Sequence, residues 1–243
     1  MLIDFTGRRA LVTGGTRGIG AAIARTLAAA GAKVVATGSS AESLRACAAV
    51  DNVELEAIDL ADATATERYA DDLAGRGFDV LVNNAGINKL AIAGEIDLAD
   101  WDRIQAVNVR APTVLCRALV RGMAERQYGR IVNISSIFGD VSRSQRASYT
   151  TSKYAVRGLT RTLALDYANR NVLVNAVAPG FIDTELTRKV LGESGMQAMA
   201  ERVPMGRLGT VDEISRVVAF LASESNSYLT GQHIVVDGGF TSE

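Results

Sequence analysis

Short apolar runs alternate with longer segments of helical periodicity along almost the whole chain, and this alternation restricts the possible folds more than any other feature. Short apolar runs are typical of strands that are buried on both faces, and the segments between them carry apolar residues at helical spacing. Strand, helix and strand in repeated order indicate parallel strands whose connecting helices cover the sheet. We therefore predict an α/β fold, a doubly wound parallel sheet of about seven strands with helices on both faces.

The predicted elements leave one segment without a clear period, which is the stretch 181–206 after Pro179-Gly180. Because it contains glycines and methionines but little periodicity, we expect it to be a mobile substrate lid. The predicted strands are Arg9–Thr13, Lys33–Thr37, Glu54–Asp59, Val80–Asn83, Ile131–Ile134, Leu173–Ala178 and His233–Val236. The predicted helices are Gly18–Ala30, Ala41–Ala49, Ala63–Arg76, Asp100–Gln127, Ser148–Asn169 and Val211–Ala222.

Composition narrows the class of protein further. The 243 residues contain 48% hydrophobic and 22% charged residues and no linker-like segment, so we expect one globular domain over residues 1–243. The net charge of −1 argues against nucleic-acid and anionic-membrane partners. Cys47 and Cys116 form no C-x-x-C pair, and no export or membrane segment is visible, so we expect a cytoplasmic protein.

A single histidine, His233, limits the possible chemistry. Hydrolytic Ser-His-Asp sites and histidine-rich metal sites both need imidazole at the reaction centre. One histidine near the end of the chain leaves little room for either. We therefore expect no metal, and we expect His233 to be a structural or interface residue on the last strand.

A glycine-rich turn joins the first predicted strand to the first predicted helix. It reads Thr13-Gly14-Gly15-Thr16-Arg17-Gly18-Ile19-Gly20, and residues 13–20 are called the glycine-rich turn below. Glycines let the backbone approach a diphosphate, while the helix N-terminus offers free N–H groups and a partial positive charge. Such a turn can also be a plain tight connection, and its G-x-x-x-G-x-G spacing departs from the common G-x-G-x-x-G pattern. Its place between strand and helix favours dinucleotide binding.

Tyr149 and Lys153 are four residues apart on one predicted helix and so lie on the same face. A nearby cation favours the phenolate form of a tyrosine, which makes this tyrosine a candidate proton donor and acceptor in ketone–alcohol interconversion. In isolation, an ordinary surface pair is the simpler interpretation. Asn83-Asn84-Ala85-Gly86 and Asn133-Ile134-Ser135-Ser136, however, follow neighbouring strands. In a parallel sheet their carboxyl ends converge on one ligand-binding edge.

With these motifs in place, the chain resembles the short-chain dehydrogenase/reductase family, in its single-domain form, over nearly its whole length. The resemblance rests on the glycine-rich turn, on Asn83-Asn84-Ala85-Gly86, Asn108, Ser136, Tyr149, Lys153 and Pro179-Gly180, and on Val236-Asp237-Gly238-Gly239. It implies a Rossmann fold that binds a nicotinamide dinucleotide. It also implies a catalytic set in which Tyr149 is the acid/base, Lys153 lowers the pKa of Tyr149 and holds the nicotinamide ribose, Ser136 binds the substrate oxygen and Asn108 holds a relay water.

The resemblance further implies the set of cofactor contacts. Asp59 and Leu60 are expected near the adenine, Asn84 near the ribose, and Ile182 and Thr184 near the carboxamide. The cofactor-binding residues expected in full are Gly14, Thr16, Arg17, Gly18, Ile19, Gly20, Thr37, Ser39, Asp59, Leu60, Asn84, Ala85, Gly86, Tyr149, Lys153, Pro179, Gly180, Ile182 and Thr184.

The end of the second strand bears on the choice of nicotinamide cofactor. Val34-Val35-Ala36-Thr37-Gly38-Ser39-Ser40 contains no acidic residue that could bind the 2′-hydroxyl of NAD. Arg17 could instead pair with a 2′-phosphate, and Thr37, Ser39 and Ser40 could add hydroxyl donors. We therefore favour NADP(H). Arg17 could equally be a solvated loop charge, and NAD(H) stays possible because no second arginine follows the strand.

Within the family, the chain is most similar to 3-oxoacyl-[acyl-carrier-protein] reductases, which implies reduction of a 3-oxoacyl thioester with NADPH. Arg126, Arg130 and Arg170 are candidates for docking an acidic carrier protein, or are ordinary helix-end charges. The loop 137–148 contains Arg143 and Arg146, which with Asn88 and Lys89 could instead suit a sugar, a polyol or another polar or anionic ketone. Either arginine could also lie at a subunit contact.

Two further expectations concern assembly and class. The resemblance suggests a homotetramer, although the apolar positions of the long helices could equally belong to the core. A dinucleotide-binding protein without catalytic activity is the distant alternative. Retention of both Tyr149 and Lys153 argues against it.

Overall fold

The computed structural model describes residues 3–242, apart from the side chains at positions 186, 190 and 191. Seven parallel strands form one sheet in the order β3-β2-β1-β4-β5-β6-β7. The strands are β1 Arg9–Val12, β2 Lys33–Gly38, β3 Val53–Ala57, β4 Val80–Asn83, β5 Gly129–Ile134, β6 Val172–Pro179 and β7 His233–Val236. Chain order reverses between β1 and β4, which is where a doubly wound sheet opens a ligand crevice. The predicted fold class is confirmed.

Eight α-helices connect the strands within the described residues. They are α1 Gly18–Ala29, α2 Ala41–Arg45, α3 Ala63–Ala74, α4 Leu98–Gln105, α5 Ala111–Glu125, α6 Ala147–Tyr167, α7 Glu185–Ala200 and α8 Val211–Ala222. Apolar side chains of α1 and α8 pack on one face of the sheet, and those of α3, α5 and α6 pack on the other. None of these helices combines the length and the apolar character that a bilayer crossing needs.

The central strands β5 and β6 are buried at every position, as expected of parallel strands covered on both faces. Two separate apolar clusters fill the two sides of the sheet, one around Ile23 and Ile214 and the other around Leu115 and Ile131. All seven strands point the same way, so their carboxyl ends and the loops that follow them share one edge of the sheet. This edge is called the catalytic edge below.

Three predicted boundaries need correction. Helix α2 ends at Arg45 rather than Ala49; none of its residues is buried, so no packing stabilises further turns. The segment 181–206, for which weak periodicity predicted a mobile lid and no helix was assigned, contains α7, whose backbone leaves the helical region at Gly192 (φ 63°, ψ 179°). This interruption separates two short helical stretches and obscures their period in the sequence. The predicted long helix Asp100–Gln127 is instead α4, a π-helical turn at Ala106–Arg110, and α5.

Candidate active site

The glycine-rich turn is held in place by residues of two neighbouring strands. The backbone N–H of Gly15 donates to the carbonyl of Thr37 at 2.8 Å, and that of Gly14 donates to the Thr37 hydroxyl at 3.2 Å. From the other side, the Asn84 amide donates to the carbonyls of Thr13 and Gly14 at 2.9 and 3.0 Å. Thr37 and Asn84 therefore fix the turn itself. The direct cofactor contacts expected of these two side chains stay predictions, because the Thr37 hydroxyl proton and the Asn84 side-chain oxygen take no part in these hydrogen bonds.

Two glycines of the turn have physical reasons to be glycine. Gly14 has a φ of 61°, in the left-handed region. A Cβ on Gly20 would lie 2.1 Å from the Gly14 carbonyl oxygen and 2.4 Å from Nδ2 of Asn84. The turn is thus closed to side chains on its inner side and leads straight into the N-terminus of α1 at Gly18, where free N–H groups can meet an anion. These features fit the diphosphate of a dinucleotide.

The end of β2 is crowded at the position where an acidic side chain would bind a ribose. A Cβ on Gly38 would lie 2.3 Å from the Ser43 hydroxyl oxygen and 2.9 Å from Cγ2 of Thr16. A carboxylate at this position therefore requires these neighbouring side chains to shift. Arg17, by contrast, is exposed at the start of α1, and it forms no ion pair with any residue in the range 3–242. Ser39 is also exposed beside it.

Tyr149 and Lys153 lie on the first turns of α6, beside the loop that follows β5. The Lys153 ammonium lies 5.4 Å from the ring centroid of Tyr149 and donates to the carbonyl of Ile134 at 2.8 Å. Ser136 Oγ accepts a hydrogen bond from the N–H of Phe138 at 3.2 Å, which leaves its own proton free to donate. The Phe138 ring meets the Tyr149 ring edge-on at 6.3 Å between centroids. Three of the four expected catalytic side chains are thus brought together at the catalytic edge.

Asn108 lies on the π-helical turn between α4 and α5, a type of distortion that is frequent at functional sites. Its Oδ1 accepts from the N–H of Ile87 at 2.9 Å, and its Nδ2 donates to the Ile87 carbonyl at 2.9 Å and to Ser152 Oγ at 3.0 Å. Ser152 in turn donates to the carbonyl of Tyr149 at 2.7 Å. Both amide hydrogens are therefore used, and one lone pair of Oδ1 remains for the expected water.

Burial has the largest effect on the pKa values of Tyr149 and Lys153. It raises the pKa of Tyr149 above the usual tyrosine value, and a hydrogen bond from Ser136 and the positive charge of Arg146 oppose that rise. Burial also lowers the pKa of Lys153 to about 8. Ser136 and Arg146 are the groups that lower the pKa of Tyr149 here, while the Lys153 ammonium donates to the β5 carbonyl; the effect expected of Lys153 on the pKa of Tyr149 stays a prediction.

The remaining expected cofactor residues border the same crevice. Asp59 and the buried Leu60 follow β3, and the Asp59 carboxylate accepts from the N–H of Ala61 at 3.0 Å. Thr184 caps α7, and its methyl group lies 3.8 Å from the position a Cβ would take on Gly18. These residues, together with the partly buried Ile19, the Ala85-Gly86 pair after β4, Pro179 and Gly180 at the end of β6, and the buried Ile182, surround the opening between β1 and β4.

The candidate docking arginines lie at the wrong end of the sheet. Arg126 and Arg130 flank the start of β5, and Arg170 precedes the start of β6, opposite the catalytic edge. Arg130 is 3% exposed and donates to the carbonyls of Ser223 and Asn226 at 3.3 and 3.1 Å, so it stabilises the fold. The expectation that these three arginines dock a partner at the rim of the site is therefore corrected.

The basic residues at the mouth of the site differ in their surroundings. Lys89 forms an ion pair with Asp100 at 2.6 Å, and Arg143 is exposed. Arg146 is half-buried, its guanidinium lies 5.2 Å from the Phe138 ring centroid, and its charge acts on Tyr149. Arg146 forms no ion pair within the part of the chain that the structure describes. It is therefore the one of these three cations that faces the reaction centre unneutralised.

The sequence reasoning missed two residues that shape the site. Thr13 accepts the N–H groups of both Asn84 and Ala85 at 3.0 Å and so joins the two loops at the crevice. Ser152 connects Asn108 to the helix of Tyr149. The sequence did contain a signal for Ser152, because this residue directly precedes Lys153 on the predicted helix that also carries Tyr149. Thr13 was recognised as the first residue of the glycine-rich turn, but the sequence assigned it no role of its own.

The catalytic edge combines a crevice that suits a dinucleotide with a phenol that can donate a proton. A protein with both features can deliver a hydride to carbon and a proton to oxygen. That combination defines an oxidoreductase, and the chain belongs to the short-chain dehydrogenase/reductase family. A sequence model of that family, described as enoyl-(acyl carrier protein) reductase, matches residues 14–241.

Individual relatives fall into two groups. The chain is 41% identical to a 3-oxoacyl-[acyl-carrier-protein] reductase of Aquifex aeolicus (strain VF5), covering 98% of this chain and 99% of the relative. A 3-oxoacyl (acyl-carrier-protein) reductase of Agrobacterium tumefaciens C58 with NADP bound superposes with a TM-score of 0.90 at 33% identity, covering 98% and 95% of the two chains. A gluconate 5-dehydrogenase of Burkholderia cenocepacia J2315, in complex with NADP and tartrate, gives 0.89 at 34% identity, covering 99% and 97%.

Proposed function

We propose that the chain uses NADPH to reduce a 3-oxoacyl thioester to the 3-hydroxyacyl product. The observation that carries the proposal is the convergence of the Ser136 hydroxyl and the Tyr149 phenol beside the dinucleotide crevice. Similarity to 3-oxoacyl reductases over almost the full length of both chains supports the thioester as substrate. A small-molecule carbonyl or alcohol is the coarser substrate class; delivery by an acyl carrier protein is part of the proposal.

Each residue of the site then has a definite task. The Ser136 hydroxyl donates its one proton to the substrate oxygen and stabilises the negative charge that develops there. Tyr149 donates its proton there; because burial raises its pKa, the phenol is protonated when reduction begins. Lys153, held at Ile134, and Asn108, held at Ile87, orient the ribose side and a relay water. When bound, the reduced nicotinamide supplies the hydride.

The choice of NADPH rests on the end of β2. Position 38 is a glycine with no carboxylate, crowded by the Ser43 and Thr16 side chains, and the exposed Arg17 is available for a 2′-phosphate. We expect Arg17→Ala to raise the KM for NADPH by about 10- to 100-fold, because a charge-assisted hydrogen bond contributes roughly 1.5–3 kcal/mol. The KM for NADH should stay within about twofold, since NADH lacks the 2′-phosphate.

Initial-rate kinetics with both cofactors check this prediction. Arg216→Ala, which removes an exposed arginine from α8, is the matched control and should leave both constants unchanged. Equal losses for NADPH and NADH in Arg17→Ala would contradict the assignment of Arg17 to the 2′-phosphate.

A second candidate is an anionic hydroxy acid or keto acid, and Arg146 favours it. An unpaired, half-buried arginine that faces the catalytic phenol is suited to bind a carboxylate in bidentate geometry. The similarity to a gluconate 5-dehydrogenase with tartrate bound agrees with this substrate class.

One set of assays distinguishes the two candidate substrates, the 3-oxoacyl thioester and the anionic keto acid. NADPH oxidation is followed with the acetoacetyl thioester of N-acetylcysteamine, which is uncharged, and with 5-ketogluconate. If 5-ketogluconate is the substrate, Arg146→Gln should raise its KM by at least about tenfold, the loss expected for a charge-assisted bond of roughly 1.4 kcal/mol. Turnover of the uncharged thioester with little effect of Arg146→Gln supports the 3-oxoacyl proposal, and failure to reduce it overturns that proposal.

The lid and the assembly stay predictions. For the homotetramer, the exposed Leu165 on α6 and Tyr228 before β7, which are 85% and 98% exposed, are positions where subunit contacts would bury apolar surface. Light scattering measures the mass, and hydrogen exchange over residues 181–206 with and without NADPH measures the mobility.

A further inference from the structure

A row of polar side chains runs behind the catalytic residues, from the end of β5 to β7. His233 pairs with Ala176 on β6 and points its ring toward the loop that follows β5. Its Nε2 lies 2.9 Å from Ser135 Oγ, and its Nδ1 lies 2.8 Å from the carboxylate Oδ2 of Asp140. The row has the chemical order of a hydrolytic triad, but Ser135 is 3% exposed and cannot meet a substrate.

The environment of the ring decides where its proton resides. Nδ1 of His233 and Oδ2 of Asp140 are both buried and lie 2.8 Å apart, and neither atom has a partner that meets hydrogen-bond geometry among the described residues. A buried carboxylate oxygen next to a ring nitrogen is satisfied only if that nitrogen carries the proton. Nδ1 is therefore the protonated nitrogen of the neutral ring, and Nε2 accepts the proton of the Ser135 hydroxyl.

The segment 135–140 carries Ser136 and is attached to the catalytic helix as well as to β7. Ser135 Oγ lies 3.4 Å from the carbonyl of Lys153, the Tyr154 hydroxyl donates to the Asp140 carbonyl at 2.5 Å, and Arg157 forms an ion pair with the Asp140 carboxylate. Gly139 is closed in, since a Cβ there would lie 2.8 Å from Ser135 Oγ and 3.0 Å from Nε2 of His233.

We propose that His233 is a positioning residue for catalysis: by joining Ser135 to Asp140 it fixes the segment 135–140, and its protonation at acid pH turns the Ser135 hydroxyl onto the Lys153 carbonyl. In the neutral state the Ser135 proton goes to Nε2. In the protonated state Nε2–H donates to Ser135, so the hydroxyl proton must find another acceptor, and the Lys153 carbonyl at 3.4 Å is the acceptor available. Protonation of His233 is thereby linked to the backbone of Ser136 and Lys153.

The charges around the ring define the direction of the pH effect. Burial lowers the pKa of His233 below the ordinary histidine value; Asp140 opposes this, while Arg157 and Arg161 on α6 add to it. The β6 neighbour, Ala176, carries no charge. The ring is therefore neutral at pH 7, and we expect turnover to decline as the pH falls through the pKa of His233.

The first experiment needs no substrate, because His233 is the only histidine of the chain and its ring signals are unambiguous. NMR of the full chain should show the Nδ1–H tautomer at pH 7. The backbone amides of Ser136 and Lys153 should follow the same acid titration as the ring. Asp140→Asn should move the midpoint to lower pH, and Arg161→Gln, at an exposed position, should move it to higher pH.

The second experiment measures turnover of the reducible probe, and this arm alone rests on the proposed function. In His233→Gln we expect kcat at pH 7 to fall about tenfold or more, as for a small misplacement of catalytic groups, with the KM for NADPH within about twofold. The decline at acid pH should disappear. An Nε2–H tautomer, or amides of Ser136 and Lys153 that ignore the histidine titration, would overturn the proposal. Failure of the wild type to reduce either probe rejects the proposed function and leaves the NMR result decisive for His233.

Discussion

Replacement of Tyr149 by phenylalanine lowers kcat by about 10²- to 10⁴-fold, the usual contribution of a positioned general acid, and leaves NADPH affinity within about twofold. Tyr149 is the proposed proton donor, and a phenylalanine lacks the hydroxyl that would donate. The edge contact with Phe138 is retained by a phenylalanine ring. Loss of one hydroxyl hydrogen bond changes the free energy of unfolding by about 1 kcal/mol at most.

Stopped-flow hydride transfer and fluorescence titration with NADPH measure the two effects separately. Tyr167→Phe removes a phenol from the same helix, far from the catalytic edge, and should behave as the wild type. If Tyr149→Phe retained more than about a tenth of the wild-type kcat, the assignment of the proton donor would be wrong.

Lys153→Met has opposite effects on activity and on stability. Lys153 is 4% exposed and burial lowers its pKa to about 8, so below pH 8 the folded protein carries a charge that the unfolded chain holds at less cost. The shift sets an upper limit of about 3 kcal/mol, and loss of the hydrogen bond to Ile134 offsets roughly 1–2 kcal/mol of it. We expect the variant to be about 1–2 kcal/mol more stable at pH 7, while kcat falls by about 10²–10³-fold.

The lowered pKa of Lys153 determines how the stability difference between Lys153→Met and the wild type changes with pH. Between pH 8 and the pKa of an unfolded lysine near 10.5, the unfolded wild type binds more protons than the folded one, so its stability rises with pH. The advantage of Lys153→Met should therefore shrink over that range. Urea unfolding at pH 7 and 9.5 measures it, with the exposed Lys189→Met as the control. A variant that is less stable than the wild type at pH 7 would refute the cost assigned to the buried charge.

Periodicity was sufficient to predict the strands and most helices because burial on both faces leaves continuous apolar runs such as β5 and β6. It failed at α7, where Gly192 interrupts the helix and shifts its phase. Motif spacing could bring Tyr149, Lys153 and Ser136 to one edge. It could not show that Asn84 and Thr37 are already engaged by the glycine-rich turn, since that depends on neighbouring strands.

The pKa values and the surroundings of the charged side chains were the properties that the sequence predicted least well. An adjacent lysine suggests a lowered tyrosine pKa, yet the net direction depends on how deeply both groups are buried and on where the ammonium donates its hydrogen bonds. The same holds for Arg130, whose position before a strand gave no sign that it is enclosed by backbone carbonyls. Likewise, a lone histidine gave no indication of its link to Asp140 across more than ninety positions.

The enclosed Arg130 has a consequence for how such a chain can diversify. It ties the start of β5 to the loop after α8, at the end of the sheet remote from the chemistry. This contact is independent of the loops that meet substrate. The exposed stretch 141–145, between the anchored Asp140 and the half-buried Arg146, can therefore accept new sequences for other ketones at little risk to folding, which makes it the natural region for directed evolution.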